Sequence, residues 1–294
     1  MQQPEPLIPL AVPPDWQDAG SAILGGDGVR RVLVLGAPDA GKSSFCRLVL
    51  QQASRRGRPA SLLDVDLGQK QLGPPACVTL GLADAAGGVP GLCALSFQGS
   101  LEPLAAWPRL IPGTARLAAA APPGLLLVNT SGLLKGAGRR LKAAKIAALR
   151  PDLLVAIGAD AALEAVLADH PHIPVRRLAR PAQAVRKGGN RRRRLRAEAF
   201  AAYFAPAPAW PIDLAGLRME QAGVTPWPAP RQLVALLDGA GHDLALALVE
   251  APDEPHRLRL RAPRVESPVA GLRWGGLWLD PGWNAHEIPR PPRA

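Results

Sequence analysis

Val29-Arg-Arg-Val-Leu-Val-Leu-Gly36-Ala-Pro-Asp-Ala-Gly41-Lys42-Ser43-Ser44 is the stretch from which the rest of the chain is read. Its first half is a short apolar run, a buried strand with a glycine turn behind it. Gly36 to Ser43 matches G-x-x-x-x-G-K-[ST], and helical material follows from Gly41 to about Arg56. Strand, loop and helix in that order are the context a phosphate-binding loop needs. The glycines let backbone N–H groups turn toward phosphate oxygens, and the helix adds the positive end of its dipole. Nucleotide contacts are predicted at Gly36, Asp39, Ala40, Gly41, Lys42, Ser43 and Ser44. Lys42 is expected on the β- and γ-phosphates, and the Ser43 hydroxyl on Mg²⁺.

A second metal-site carboxylate ordinarily ends an apolar strand, yet Leu125-Leu-Leu-Val128 runs into Asn129-Thr130. The segment Asp64-Val-Asp66-Leu-Gly-Gln69 closes the strand that starts at Ala60 and is the other source. The end of a parallel strand delivers side chains to the ligand crevice, and alternation aims Asp64 and Asp66 to one side. Two carboxylates there suit metal binding and alignment of a nucleophile, with Ser43 and Asp66 as candidate metal ligands. Read alone, the segment is also a turn stabilised by Asp and Gly. A GTP-binding switch is the natural rival for any such loop. However, N-K-x-D is absent, and Asp66-Leu-Gly68 is one residue short of the D-x-x-G switch.

Working outward, strands are expected at Ala60–Asp66, Leu92–Phe97, Leu125–Asn129, Leu153–Ile157 and Ile173–Leu178, with helices near Leu104–Ala121, Arg139–Leu149 and Ala161–Ala168. Apolar strands alternating with helices predict an α/β fold, a P-loop NTPase parallel sheet with helices on both faces. Residues 1–28 are read as an irregular, Pro-rich segment and 29–205 as the P-loop domain; Pro206–Pro230 is read as a linker. Beyond it, short strands at Gln232–Asp238, Asp243–Glu250, Arg257–Arg261, Val269–Trp274 and Leu277–Asp280 predict a small C-terminal β domain, so that 206–294 is linker plus β domain.

The chain has 294 residues with a hydrophobic fraction of 48%, which argues against wholesale disorder, and a formal charge of +11. The excess is local: ten basic residues and no acid lie between Arg176 and Arg196. A patch of this kind is a phosphate clamp or a solvated basic face. Met1-Gln-Gln-Pro-Glu-Pro lacks the cationic start of a signal peptide, and no run of about 18 apolar residues is available for a bilayer span. The three cysteines (Cys46, Cys77, Cys93) form no C-x-x-C pair. The expectation is a cytoplasmic protein with no membrane contact. The five histidines lack metal-ligand spacing. Trp274, Trp278 and Trp283 are the tryptophans that could line a substrate surface, burial being the simpler expectation.

Taken together, these motifs resemble the polynucleotide 5′-hydroxyl kinase family, the kinases of pre-mRNA 3′ processing, tRNA splicing and ribosomal RNA maturation, in a short bacterial or archaeal form. The resemblance runs from about Val12 to near the C-terminus and rests on several segments in order. These are Gly36–Ser43, the D-x-D-x-G-Q of Asp64–Gln69, Leu72-Gly-Pro-Pro75, Phe97-Gln-Gly-Ser100 with Pro103, the clasp-like Asn129-Thr-Ser-Gly-Leu133, and the lid-like Arg186–Phe204. It implies transfer of the ATP γ-phosphate, with Mg²⁺, to the 5′-OH end of RNA or DNA. Asp66 would orient and deprotonate the hydroxyl, and Asp64, Gln69, Thr130 and Gly132 would contact the acceptor. Lys187 (or Arg186), Arg192 and Arg196 match the lid arginines, with the lid at about 176–204 and catalytic roles for Lys42, Asp66, Arg192 and Arg196. In the resemblance, Leu133 stands where eukaryotic relatives carry a clasp Trp, and no counterpart of their N-terminal β domain is expected. Protein partners are not readable from the sequence.

An Asp base suffices for this chemistry, because the transition state is loose and its demands are positioning and electrostatics. Arg192 and Arg196, spaced i,i+4, share a helix face, and Tyr203 and Phe204 are read as core. The rival readings are a non-catalytic ATP-binding scaffold in an RNA-processing complex and the GTP-binding switch.

Overall fold

The computed structural model describes residues 13–26, 28–83, 91–221, 228–254 and 256–287. In chain order the first part comprises α1 (Pro14–Gly25), β1 (Arg31–Gly36), α2 (Lys42–Arg55), β2 (Ala60–Asp64), β3 (Cys77–Leu82) and β4 (Gly91–Phe97). It continues with α3 (Trp107–Ala119), β5 (Leu125–Asn129), α4 (Ala137–Leu149), β6 (Leu153–Ile157), α5 (Ala161–Ala168), β7 (Val175–Leu178) and α6 (Gly189–Phe204). Seven strands form one sheet in the order β4-β3-β2-β5-β1-β6-β7. The strands from β2 to β7 in that order are parallel, and β3 and β4 extend the edge antiparallel.

The parallel strands are buried on both faces. Leu33, Leu35, Leu63 and Leu126 face α3, α4 and α5 on one side, while Val32, Val34, Leu62 and Leu127 face α1 and α2 on the other. Connections from β1 lead first to β2 and β5 on one flank and then to β6 and β7 on the other. The crevice therefore opens at the C-terminal end of β1, where the strand order reverses.

The second sheet comprises β8 (Ala209–Asp213), β9 (Arg218–Gln221), β10 (Gln232–Leu237), β11 (Asp243–Glu254), β12 (Arg257–Arg261), β13 (Gly271–Leu279) and β14 (Ala285–Glu287). Its order is β14-β13-β10-β11-β12-β8, with β9 added parallel to β13. One face of β10 and β11 (Leu233, Ala235, Leu246, Leu248) packs against Cys77, Leu95, Phe97, Phe200 and Phe204 of the first part. The C-terminal end of α6 is thus wedged between the sheets, and Tyr203 Oη accepts a hydrogen bond from Leu246 N at 3.1 Å. No helix among the described residues is long and apolar enough to cross a membrane.

The structure departs from the sequence reading in several places. Residues 14–25, expected to be irregular, form α1: prolines at its first turn pre-set the helical φ, and Trp16 and Ile23 are buried against α2. The β3 strand was hidden behind the Leu72-Gly-Pro-Pro75 turn, and it makes the sheet mixed rather than wholly parallel. The expected linker contains β8 and β9, which complete the second sheet by pairing with β12 and β13; residues 222–227 of that linker lie outside the described residues. Finally, Arg176 and Arg177, expected in the lid, lie on β7 at the sheet edge, where Arg177 pairs with Glu164.

Candidate functional site

A cleft of about 890 Å³ lies at the C-terminal ends of β1, β2 and β5, under the N-terminal half of α6. The β1–α2 loop forms its floor. Gly41 adopts φ +102°, and a Cβ there would come within 2.7 Å of the Trp16 ring, so only glycine fits. Ser43 and Ser44 line the cleft from the first turn of α2, whereas Gly36 and Ala40 lie beneath the lining. Lys42 is buried; its Nζ donates to the Gly36 and Ala37 carbonyls at 3.0 and 2.7 Å. Burial pulls its pKa down to about 8, against the attraction of Asp66 and Asp39.

Asp39 connects the loop to α6 and the segment just before it. Its carboxylate accepts from Lys187 N at 3.0 Å and Arg192 Nη2 at 2.6 Å. Partial burial works against its ionisation, but these two donors outweigh it and hold the carboxyl below its ordinary value.

The two aspartates of the D-x-D segment part company. β2 ends at Asp64, so strand alternation does not extend to Asp66. Asp64 is wholly buried and absent from the cleft lining. It accepts from Asn129 Nδ2 at 3.0 Å and Gln71 N at 2.8 Å, and it pairs with Lys70 at 3.4 Å. The expected acceptor contact at Asp64 is therefore replaced by a buried tie between β2, β5 and the following turn. Asp66 does line the cleft, and its Oδ1 caps the turn by accepting from Gly68 N and Gln69 N at 2.9 and 3.1 Å.

Gln69, Thr130, Gly132 and Leu133 form the adjoining wall. Thr130 Oγ1 donates to Val34 O at 2.9 Å, locking the β5 turn to β1. A Cβ on Gly132 would lie 2.3 Å from Pro38 N, so this turn rests directly on the phosphate loop. Leu133 is 36% exposed beside it. Lys187, Arg192 and Arg196 line the opposite wall, and Arg186 does not. Arg196 is half-buried; desolvation and the neighbouring Arg193 and Arg192 lower its pKa, and Asp66 raises it. Trp274 is buried in the second sheet, Trp283 stacks on Phe204, and Trp278 stacks on His286; none of the three lines the cleft.

Two groups escaped the sequence reading. Trp16 and Pro13 wall the cleft beside the loop, with Trp16 Nε1 donating to Ala179 O at 3.0 Å; the surrounding prolines masked the helix that carries them. Lys142 and Lys145 are both fully buried beneath the site. Their signal was legible, since they share one helical face with Leu149.

Residues 36–206 match a family model described as the mRNA cleavage and polyadenylation factor CLP1 P-loop. A polyribonucleotide 5′-hydroxyl-kinase of Pyrococcus furiosus is 33% identical over 153 residues, covering 50% of this chain and 43% of that protein. One of Methanocaldococcus jannaschii is 28% identical over 163 residues (53% and 45%), and the polyribonucleotide 5′-hydroxyl-kinase Clp1 of Xenopus laevis is 32% identical over 162 (48% and 36%). The matches thus span half the length of these relatives or less. Among solved structures, a wild-type Clp1p–Pcf11p complex superposes with TM-score 0.69 at 14% identity, over 89% of this chain and 77% of that one. A second Pcf11p–Clp1p structure gives 0.71, also at 14%, over 89% and 78%. These two establish likeness of fold.

Proposed function

From its membership of the CLP1 P-loop family, to which this chain belongs, we propose that the protein is a cytoplasmic ATP-dependent polynucleotide 5′-hydroxyl kinase, acting on the 5′-OH end of RNA or DNA. One observation carries the reading: a single cleft is lined by the phosphate loop, by Asp66 and by Arg192 and Arg196. Phosphoryl transfer needs a held triphosphate, an aligned nucleophile and positive charge around the moving phosphoryl group.

In this reading the loop amides and Lys42 bind the triphosphate. Asp66 orients the 5′-hydroxyl and takes its proton late in transfer, where a loose transition state asks for positioning rather than a strong base. Arg192 and Arg196 face the charge that spreads over the γ-oxygens, and the guanidinium fork suits phosphate geometry. The exposed arginines at the start of α6 meet the strand's phosphates. No cluster of three or more His, Cys, Asp or Glu among the described residues could hold a metal ion on its own. That fits Mg²⁺, which is commonly held by one or two protein oxygens together with substrate phosphates; Ser43 and Asp66 would supply them. When bound, Mg²⁺ neutralises charge on the β- and γ-oxygens.

The test is transfer of label from γ-labelled ATP to 5′-hydroxyl RNA and DNA oligonucleotides. Wild-type protein is expected to label them, and Asp66→Asn to lose roughly 10²-fold in turnover while still binding ATP. ATP held without transfer to any end would overturn the reading in favour of a scaffold, and GTP-selective binding in favour of a switch.

A further inference from the structure

Beneath the acceptor wall, α4 carries two lysines in the protein interior, Lys142 at 1% and Lys145 at 0% exposure. They sit three residues apart on the face that also buries Leu141, Ile146 and Leu149. Taking an ammonium group out of water is costly unless good partners compensate it. Here burial pulls Lys145 down to about 8, against the attraction of Asp66 and Asp64, and holds Lys142 well below the usual lysine value, with Lys145 and Lys42 adding to the effect. Apolar side chains would fill these positions without that cost.

The partners of the two groups indicate what they do. Lys142 Nζ donates to Ser131 O at 2.5 Å and lies 3.5 Å from Ser131 Oγ. Lys145 Nζ donates to Val65 O at 3.5 Å. Neither ammonium forms an ion pair among the described residues. Ser131 lies between Thr130 and Gly132, and Val65 immediately precedes Asp66. The pairing of β2 with β5 reaches one residue past β2, through Val65 N donating to Asn129 O at 2.9 Å. From there the two chains diverge, Asp66 into one turn and Ser131 into the other. The lysines grip one carbonyl on each chain where the ladder stops.

We propose that Lys142 and Lys145 are positioning residues for the acceptor: from one helix they brace the Thr130–Gly132 turn against the Asp66 turn and set the distance between them. This rests on the reading that Asp66 and the Thr130–Gly132 turn receive the 5′-hydroxyl end. Neither lysine touches substrate. Their work is the registry of two turns from different strands, and small misplacements of reacting groups cost rate steeply.

The experiment compares Lys142→Met, Lys145→Met and Lys142→Gln with wild type. Methionine removes the donor but keeps the volume; glutamine keeps a neutral donor for Ser131 O. Both Met variants are expected to keep or gain thermal stability, bind ATP within about twofold of wild type, and lose roughly tenfold or more in kcat/KM for the oligonucleotide. Lys142→Gln recovers part of that loss. Amide hydrogen exchange provides a readout independent of activity: it rises at Val65–Gln69 and Ser131–Gly132 in the Met variants and stays unchanged at Lys42–Phe45. If wild-type protein transfers no phosphate, the kinase reading falls, and the exchange pattern still decides the brace. Unchanged exchange at both turns overturns the brace, as does a loss of ATP affinity and stability in step with activity.

Discussion

Lys42 and Arg192 bring the same charge into one cleft, but the regions that hold them differ. Lys42 is buried at the first residue of α2, its ammonium shared between two loop carbonyls at 3.0 and 2.7 Å. Arg192 stands on a helix whose first three turns are largely exposed. Its guanidinium meets Asp39 at 2.6 Å, while its Nε is buried with no hydrogen-bond partner among the described residues. The floor is thus shaped by backbone. The lid is shaped by one ionic tie at its tip and by an aromatic anchor, Phe200, Tyr203 and Phe204, at its far end. The helix is thus held by aromatic packing at one end and by a charged pair at the other, whereas the loop rests directly on Gly132 and Trp16.

The largest expected effect belongs to the lid. Arg196→Ala, measured by single-turnover label transfer, should lower the rate by about 10³-fold or more, as for other arginines that meet transition-state charge, with ATP affinity little changed. Lys42→Ala on the floor should cost about 10²–10³ and should weaken ATP binding as well. If the two variants show the same split between binding and rate, the contrast between lid and floor is wrong. Asp39→Asn should have the smallest effect, a change of a few-fold at most, because a partly exposed ion pair contributes about 0–1 kcal/mol. Its sign is informative: faster turnover means that the tie holds Arg192 back, slower turnover that it helps closure.

The pH dependence of that tie follows from the lowered pKa of Asp39. A carboxyl held below its ordinary value keeps its contribution above the unfolded pKa and loses it as pH falls through the folded one. The difference between wild type and Asp39→Asn should therefore stay constant through mildly acidic pH, below the range in which Lys42 titrates. Turnover ratios that stay flat from about pH 6.5 down to about pH 4.5 check this, and a ratio that drifts across that range shows that the carboxyl is not held low.

Legibility varied with how local the determining contacts were. The phosphate loop and its flanking elements were readable because strand, loop and helix are contiguous and a short-range pattern specifies each. The roles of Asp64 and Asp66 were not, because whether alternation continues depends on where β2 stops. That in turn depends on Lys70, Asn129 and Gln71 closing around Asp64. Helix α1 was missed for a related reason: its burial depends on Phe45 and on Ala179, which lies 163 residues from Trp16. Lys142 and Lys145 drew no reading from the sequence, although they share a helical face with the buried Leu149.

From its residues alone the chain declares a phosphate-binding loop on a central strand, an α/β layer around it, a basic helix about two thirds of the way along and a β-rich end. Folding settles which groups meet. Asp39 and Arg192 are 153 residues apart in sequence, as are other pairs that close the cleft over comparable separations, and no short-range propensity encodes such a contact. It exists because burying both faces of the parallel sheet fixes the strand order, and that order brings the loop, the D-x-D turn and the lid to one edge.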